Sequence, residues 1–248
     1  MAISNRTDFT ILEETDDYIV VDKPAPLLVH PSKPSPVPTL WDELRNLLAF
    51  DLVNGSALSI INRLDRETSG VVLVTKHAIA ARRFSIAMQE RKTEKRYQAL
   101  IHGWPEEDAF TIDAPLLRKG TVEASPIWLK RMVHPDGQAS ITHVQVLERR
   151  IISEQRRFSL VDVRPVTGRM HQIRVHLSHV GHPIVGDKIY NDETCYLRFI
   201  EDGWTPELEE TLFLRRHALH ASSLTFHFLE GDLTWEAPFP KDLDWLEI

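Results

Sequence analysis

The chain has 248 residues, of which 42% are hydrophobic and 26% charged. These values are ordinary for a globular protein that is long enough to bury a sizeable core. The single cysteine, Cys195, excludes an intrachain disulfide and a cysteine-rich zinc site. The polar residues 1–15 do not resemble a signal peptide, and the longest aliphatic run near the middle of the chain, residues 71–74, is too short to span a membrane. We therefore expect a cytoplasmic protein that does not bind membranes.

The net charge of -7 is unevenly distributed along the chain. Residues 201–248 carry eleven acidic and three basic side chains, whereas residues 51–100 carry nine basic and five acidic ones. A basic face that binds nucleic acid is therefore compatible with the acidic total, although the same basic residues could simply solvate a helix. The acidic segment could likewise cover a protein partner or be plain solvated surface.

The first half of the chain shows both strand and helix periodicities. Apolar residues predict a strand at 18–22, and three prolines predict an exposed loop at 32–39. Helical spacing follows at 40–50 and 77–91, with a short buried strand at 71–75 between them. Tyr97, Ala99 and Ile101 alternate with other positions, as in a sheet strand.

The second half predicts strands at 140–147 and 158–164 and a helix at 170–180, which Gly181 and Pro183 would terminate. Residues 230–232 predict a hairpin between two further strands, 225–229 and 233–237. The combination of many sheet segments with few helices indicates an α+β fold with a mixed, largely antiparallel sheet.

One predicted helix contains an arginine on its apolar face. A helical wheel places Met170, Ile173, Leu177 and Val180 on one stripe and Arg174 within it. A buried guanidinium is costly without an anion, so we expect a carboxylate partner for Arg174. The alternative is that Arg174 extends to the edge of the stripe and pairs with a surface acid.

Two segments about a hundred residues apart carry the most specific pattern. Residues 61–70 read Ile-Asn-Arg-Leu-Asp-Arg-Glu-Thr-Ser-Gly, and residues 167–177 read Thr-Gly-Arg-Met-His-Gln-Ile-Arg-Val-His-Leu. Together with a Lys-Pro motif at 20–31 and a tyrosine motif at 95–103, they resemble the RluA-type pseudouridine synthases. The resemblance implies one catalytic domain over 1–248 with a long bisected sheet, flanking helices and a central cleft. We expect no N-terminal S4 domain.

The resemblance also implies roles for particular side chains. Asp65 would be the catalytic carboxylate, Arg174 its ionic partner and Tyr97 the residue that packs on the target uracil. Arg63 would occupy the space left by flipped nucleotides. Three further residues are expected to contact substrate: Ile173 as an apolar pocket wall, and Arg169 and His171 as phosphate contacts at the start of a helix.

Pseudouridine formation breaks the bond between ribose C1′ and uracil N1 and rejoins the base through C5. It needs an ionised carboxylate, which attacks C1′ or removes a proton from C2′. The sequence leaves both routes open, and neither requires a metal or another cofactor. His171, His176 and His179 are spread too widely around a helix to converge on one metal ion, so we predict no metal site.

Two positions depart from the family pattern, because Asn62 replaces a histidine and Pro26 a glycine. An alternative function is therefore a catalytically inactive, RNA-binding assembly factor of the same fold. A carboxylate-dependent glycosidase is a weaker alternative, because it needs a second catalytic acid and none of the motifs indicates a candidate for it. The expected partner is structured RNA, either ribosomal or transfer RNA, rather than DNA, and the expected oligomeric state is a monomer.

Overall fold

The computed structural model describes residues 9–31, 36–153 and 156–243. These residues form two compact units. Unit 1 comprises the described residues up to Glu94 together with those from His220 onward, and unit 2 is Lys95–Leu219. The prediction of a single domain over 1–248 stays a prediction. In these described ranges, no helix is long and apolar enough to cross a membrane.

Strands outnumber helices in the described ranges. The strands are β1 Thr10–Glu14, β2 Tyr18–Lys23, β3 Ser59–Ile60, β4 Ser69–Thr75, β5 Thr93–His102, β6 Ala109–Asp113, β7 Leu116–Arg118, β8 Arg131–Val133, β9 Ile141–Ser153, β10 Arg156–Pro165, β11 Leu219–Phe228 and β12 Gly231–Glu236. The α-helices are α1 Leu40–Leu47, α2 Ala49–Val53, α3 Ala78–Gln89, α4 Gln172–His179, α5 Glu193–Asp202 and α6 Pro206–Leu212.

The sheet of unit 1 has the strand order β1-β2-β4-β11, with β3 added to β4 and β12 to β11. The pairings are antiparallel except for β4 with β11, which run parallel where Ser69 and Gly70 face His220 and Ala221. All seven residues of β4 are buried. A strand buried on both faces needs a continuous apolar run, which explains why the sequence at 71–74 does not alternate.

An aromatic cluster forms the core of unit 1. Phe84 of α3 meets the rings of Tyr18, Phe226 and Trp235 with centroid distances of 4.8 to 6.3 Å. Helix α3 begins after His77, whose side chain accepts a hydrogen bond from the Ala80 N–H. This cap fixes where the helix starts, and the burial of Phe84 fixes which face of the helix is covered.

The sheet of unit 2 has the strand order β5-β10-β9-β6 and is antiparallel throughout these four strands. Strands β7 and β8 form a separate two-stranded hairpin. Helix α4 packs against β8, β9 and β10, and its residues 172–177 are all buried. The helix is therefore enclosed on nearly every side.

The predicted α+β class and the mostly antiparallel pairing are confirmed, while the bisected sheet and central cleft stay predictions. The helix predicted at 170–180 is shorter, because His171 has a φ of 57° and α4 begins at Gln172. The helix predicted at 40–50 is interrupted at Leu48, where α2 follows α1. Of the predicted loop at 32–39, residues 32–35 lie outside the described ranges and residues 36–38 are exposed.

The partly buried histidine of β5, His102, predicts a dependence of stability on pH. His102 contacts Phe158 and Phe213, and its Nε2 has no hydrogen-bond partner among the described residues. Burial lowers the pKa of His102 from 6.5 to about 4. Between these values the unfolded chain binds the extra proton, so stability is complete above pH 6.5 and is lost as the pH falls towards 4.

The unfolded chain binds a proton that His102 in the folded chain does not. We therefore expect the unfolding free energy to fall by roughly 1–3 kcal/mol when the pH is lowered from 7 to about 4. Urea unfolding of the wild type and the His102→Phe variant over this pH range measures the difference. The same substitution at the exposed His30 is the control. Equal pH slopes in the wild type and His102→Phe would contradict the assignment.

Candidate active site

Asp65 lies in unit 1, in the loop that leads into β4. Its side chain is half-buried, and its carbonyl oxygen accepts a hydrogen bond from the Thr68 N–H at 3.1 Å, which closes a turn. Arg63, two residues earlier, is exposed. The loop therefore carries one acidic and one basic side chain, and its hydrogen-bonded turn constrains the backbone.

Asn62 attaches the first part of this loop to β4. Its side-chain amide donates to the Val71 carbonyl oxygen at 2.9 Å, and its Oδ1 accepts from the Leu73 N–H at 2.8 Å. The Ile61 N–H adds a backbone bond to the Leu73 carbonyl oxygen at 2.9 Å. Asn62 is buried and thus satisfies two β4 backbone groups, which is the structural use of the residue that departs from the family pattern.

Lys23 attaches the second part of the loop. It is fully buried at the end of β2, and its ammonium donates to the carbonyl oxygens of Leu27 at 2.8 Å, Pro24 at 3.0 Å and Arg66 at 3.4 Å. The Leu27 N–H also donates to the Arg66 carbonyl oxygen at 2.9 Å. The Lys-Pro motif therefore holds the residue directly after Asp65. Pro26 within this motif follows a cis peptide bond.

The Thr-Ser-Gly end of the loop is packed too closely for larger residues. Gly70 has a φ of 115°, and a Cβ there would lie 2.2 Å from the Ala221 carbonyl oxygen. The Ser69 hydroxyl lies 3.0 Å from His220 Nδ1, and His220 Nε2 lies 3.2 Å from the Ala237 carbonyl oxygen. Because only Nε2–H can donate to that carbonyl, Nδ1 of the neutral imidazole accepts a hydrogen bond from the Ser69 hydroxyl. Sequence reasoning missed this pair.

Arg174 lies on α4 in unit 2 and is 5% exposed, so the predicted burial is confirmed. Its Nε and Nη2 donate to the two carboxylate oxygens of Asp187, at 2.7 and 2.9 Å. The expectation of a carboxylate partner is therefore met by Asp187, a residue that sequence reasoning missed. The pairing of Arg174 with Asp65 stays a prediction.

The Asp187 carboxylate is completely buried and remains ionised. Burial raises its pKa, but the Arg174 guanidinium and its hydrogen bonds outweigh burial and hold that pKa far below the usual range. Its Oδ1 also accepts the Ile189 and Tyr190 N–H groups at 2.9 and 3.0 Å. One carboxylate thus fixes both the guanidinium and the turn that follows it.

Tyr97 lies on β5 of unit 2, opposite Val163 of β10, and is partly buried. Lys95 is two residues earlier and therefore on the same face of the strand. A Cβ on Gly168 would lie 3.6 Å from the Lys95 ammonium, so the segment before α4 lies beside this part of β5. Burial lowers the pKa of Lys95. Lys95 belongs to the tyrosine motif, but sequence reasoning gave it no role.

The residues around the start of α4 have different environments. Ile173 is buried, whereas Arg169 is exposed and its Nε lies 3.4 Å from the Ala139 carbonyl oxygen. The His171 Nδ1 lies 2.8 Å from the Tyr190 hydroxyl. His171 is the residue before the first helical turn rather than within it, which corrects its predicted place in the helix.

Both ring nitrogens of His176 form hydrogen bonds within the fold. Its Nδ1 and Nε2 lie 2.8 Å from Thr142 Oγ1 and 2.9 Å from the Ala114 carbonyl oxygen. Gln172 adds bonds from the same helix to Ile141 and Thr142 of β9. Across the ranges that the structure describes, no group of three or more histidine, cysteine or acidic side chains is arranged to hold a metal ion.

The Asn62 contacts predict a specific loss of stability. In Asn62→Asp the carboxylate can still accept from Leu73, but it cannot donate to the Val71 carbonyl oxygen and instead faces it with a negative charge. We expect the unfolding free energy to fall by about 1–3 kcal/mol. Urea unfolding measures this, with Asn46→Asp on the exposed side of α1 as the control. A variant as stable as this control would refute the anchoring role.

The Arg174–Asp187 pair predicts a larger loss. Asp187→Asn keeps the shape of the side chain but leaves the buried guanidinium without its anion. We expect the unfolding free energy to fall by about 3 kcal/mol or more. The exposed Asp136→Asn should be neutral within about 0.5 kcal/mol. An Asp187→Asn protein with the stability of Asp136→Asn would mean that the pair contributes nothing to folding.

The chain resembles characterised proteins along most of its length. Residues 17–179 match the family described as RNA pseudouridylate synthase. The protein named ribosomal large subunit pseudouridine synthase D is 32% identical over 236 residues in Haemophilus ducreyi, covering 94% of this chain and 67% of that protein. Its counterpart in Pseudomonas aeruginosa is 33% identical over 246 residues, covering 96% and 71%.

The solved structure of human RNA pseudouridylate synthase domain containing 1 superimposes with a TM-score of 0.73 at 25% identity, covering 98% of this chain and 89% of that one. Human RNA pseudouridylate synthase domain containing 4 gives a TM-score of 0.72 at 25% identity, covering 94% and 90%. These matches agree with the four motifs at the sequence level. The chain belongs to the RluA-type RNA pseudouridylate synthase family and is an RNA pseudouridine synthase, an isomerase.

Proposed function

We propose that this enzyme converts specific uridines of structured, large-subunit ribosomal RNA to pseudouridine, with Asp65 as the catalytic carboxylate. The observation that carries the proposal is the double attachment of the Asp65 loop, by Asn62 on one side and Lys23 on the other. A catalytic group gains most from a geometry that is set before the substrate binds. The ribosomal substrate is supported by the names of the bacterial relatives.

In this proposal Asp65 acts beside the ribose of a flipped uridine. As an ionised carboxylate it either attacks C1′, with the electron pair of the C1′–N1 bond leaving on the uracil, or removes the C2′ proton to expel the same group. The uracil then turns and C5 bonds to C1′, which breaks the C1′–Asp65 bond on the first route and is accompanied by return of the proton to C2′ on the second. Loss of the C5 proton and protonation of N1 complete the isomerisation. Neither route consumes an oxidant or a cofactor.

The other proposed roles follow the family motifs. Arg174 keeps Asp65 ionised through its positive charge, and Asp187 holds the guanidinium in place for this task. Tyr97 packs on the target uracil, for which a partly buried ring on a strand is suited. Ile173 contributes an apolar wall to the base pocket.

Arg63 and Arg169 are exposed arginines, which suits contacts with nucleotides displaced by flipping and with phosphates. His171 would add a phosphate contact from the same segment as Arg169. We also propose that the enzyme works in the cytoplasm as a monomer.

The catalytic assignment is tested with Asp65→Asn, which removes the charge and keeps the shape. We expect pseudouridine formation to fall by at least about 10²-fold, while the affinity for RNA stays within about twofold. Asp136→Asn, at an exposed position with a side chain that is 87% accessible, is the matched control. Wild-type rates in Asp65→Asn would remove Asp65 from the mechanism.

The substrate is tested with RNA transcribed without modification. The purified wild type is incubated separately with large-subunit ribosomal RNA, small-subunit ribosomal RNA and transfer RNA, and new pseudouridines are mapped at nucleotide resolution. We expect new sites in large-subunit ribosomal RNA alone. Sites confined to transfer RNA would overturn the proposed substrate and leave the role of Asp65 intact.

A further inference from the structure

The β7–β8 hairpin of unit 2 carries two arginines in an unfavourable arrangement. Its register pairs Leu116 with Val133, Leu117 with Met132, and Arg118 with Arg131. Residues directly opposite each other on two strands have Cβ atoms about 4.5–5.5 Å apart, and like charges in such positions repel. A compensating acid would therefore be expected close to this pair.

The acidic side chains nearby are engaged with lysines instead. Glu193 binds Lys130 at 2.6 Å and Lys119 at 3.5 Å, and Glu123 lies 3.5 Å from Lys119. Among the residues that the structure describes, no carboxylate oxygen lies within 4 Å of the guanidinium of Arg118 or Arg131. The two arginines thus form a cationic pair that the described residues do not neutralise.

Their hydrogen-bonding capacity is also incompletely used. Arg118 Nη1 and Arg131 Nε are buried without a hydrogen-bond partner in the described part of the chain. The acceptor of Arg131 Nη2 is the Met170 sulfur, at 3.1 Å, and a thioether is a weak acceptor. Both side chains remain partly exposed. An anion that approaches from the solvent would supply the charge that both lack.

An exposed tryptophan adjoins the arginine pair. Trp128 is 74% exposed, and the guanidinium of Arg118 lies over its ring with Cζ 3.8 Å from the centroid. Leaving so large an apolar ring in water gives up the hydrophobic gain of its burial. A ring held in place by a cation on one side provides a platform on which a nucleobase can stack.

The hairpin is firmly joined to the segment around α4. Leu116 and Ile127 pack against Val175, Ile189 and Tyr190 in one buried cluster. The Arg131 N–H donates to the Tyr190 hydroxyl at 3.0 Å, and the same hydroxyl contacts His171. A ligand on the arginine pair would therefore be held at a set position relative to Arg174.

We propose that Arg118 and Arg131 together bind one backbone phosphate of the RNA and that Trp128 stacks on an unpaired base beside it. This rests on the proposed function only in taking RNA as the ligand. Phosphate supplies the charge that neutralises the pair, and an adjacent base covers the exposed ring. The site thus increases affinity for RNA and takes no part in the isomerisation itself.

The test compares the double variant Arg118→Gln/Arg131→Gln with a charge-matched control, Arg45→Gln/Arg198→Gln, whose arginines are exposed elsewhere. The probe is transcribed, unmodified large-subunit ribosomal RNA. We expect about tenfold weaker binding, a slope of log affinity against log salt that is smaller by about 1, and a raised KM with kcat within twofold. The melting temperature should not fall, because a repulsive pair has been removed.

Trp128 is tested separately by Trp128→Ala, which should weaken RNA binding at least about fivefold, and Trp128→Phe, which should restore most of it. Affinity and salt slope equal to those of the charge-matched control would overturn the phosphate site, as would a loss of kcat at unchanged KM. The binding measurements do not depend on catalysis, so they test the phosphate site alone. Failure of the proposed function would be seen separately, as wild-type protein that makes no pseudouridine in this RNA.

Discussion

The buried ion pair between Arg174 and Asp187 is the constraint on which unit 2 depends. The buried guanidinium of Arg174 on α4 cannot lose its proton, so the chain must bring an anion to it. The turn after Gly186 brings the Asp187 carboxylate to Arg174. Its backbone is packed so closely that a Cβ on Gly186 would lie 2.1 Å from the Arg216 carbonyl oxygen. Asp187 then orders the backbone up to Tyr190, whose ring supports both α4 and the β7–β8 hairpin.

Unit 1 solves a similar problem with hydrogen bonds to backbone groups rather than with an ion pair. The loop that carries Asp65 contains few apolar side chains that could hold it by packing, so its backbone is held by directional bonds from Asn62 and Lys23. Apolar packing tolerates several arrangements of similar energy, whereas satisfied buried hydrogen bonds favour one. Both units thus use buried polar residues to determine where Asp65 and Arg174 are placed.

Periodic patterns predicted β4, which is a continuous apolar run, and α3, whose helical repeat buries Phe84, but helices α5 and α6 were not predicted. They failed for the short strands β6 to β8, whose few residues cannot establish a period. The wheel correctly predicted a buried Arg174, but Asp187 lies in an irregular turn and has no pattern of its own. Asn62 was identified as a departure, yet its contacts depend on an edge of β4 that only the folded chain provides.

The discontinuity of unit 1 has a consequence for how the enzyme matures. Its strands β11 and β12 are translated after all of unit 2, and the Asp65 loop needs His220 and Ala221 beside Ser69 and Gly70. Domains generally fold as units during synthesis, with the earlier parts first. Here residues 95–219 can form their core on the ribosome while the Asp65 loop still lacks a neighbouring strand. A nascent chain therefore gains its complete loop only after unit 2 and β11 have been translated.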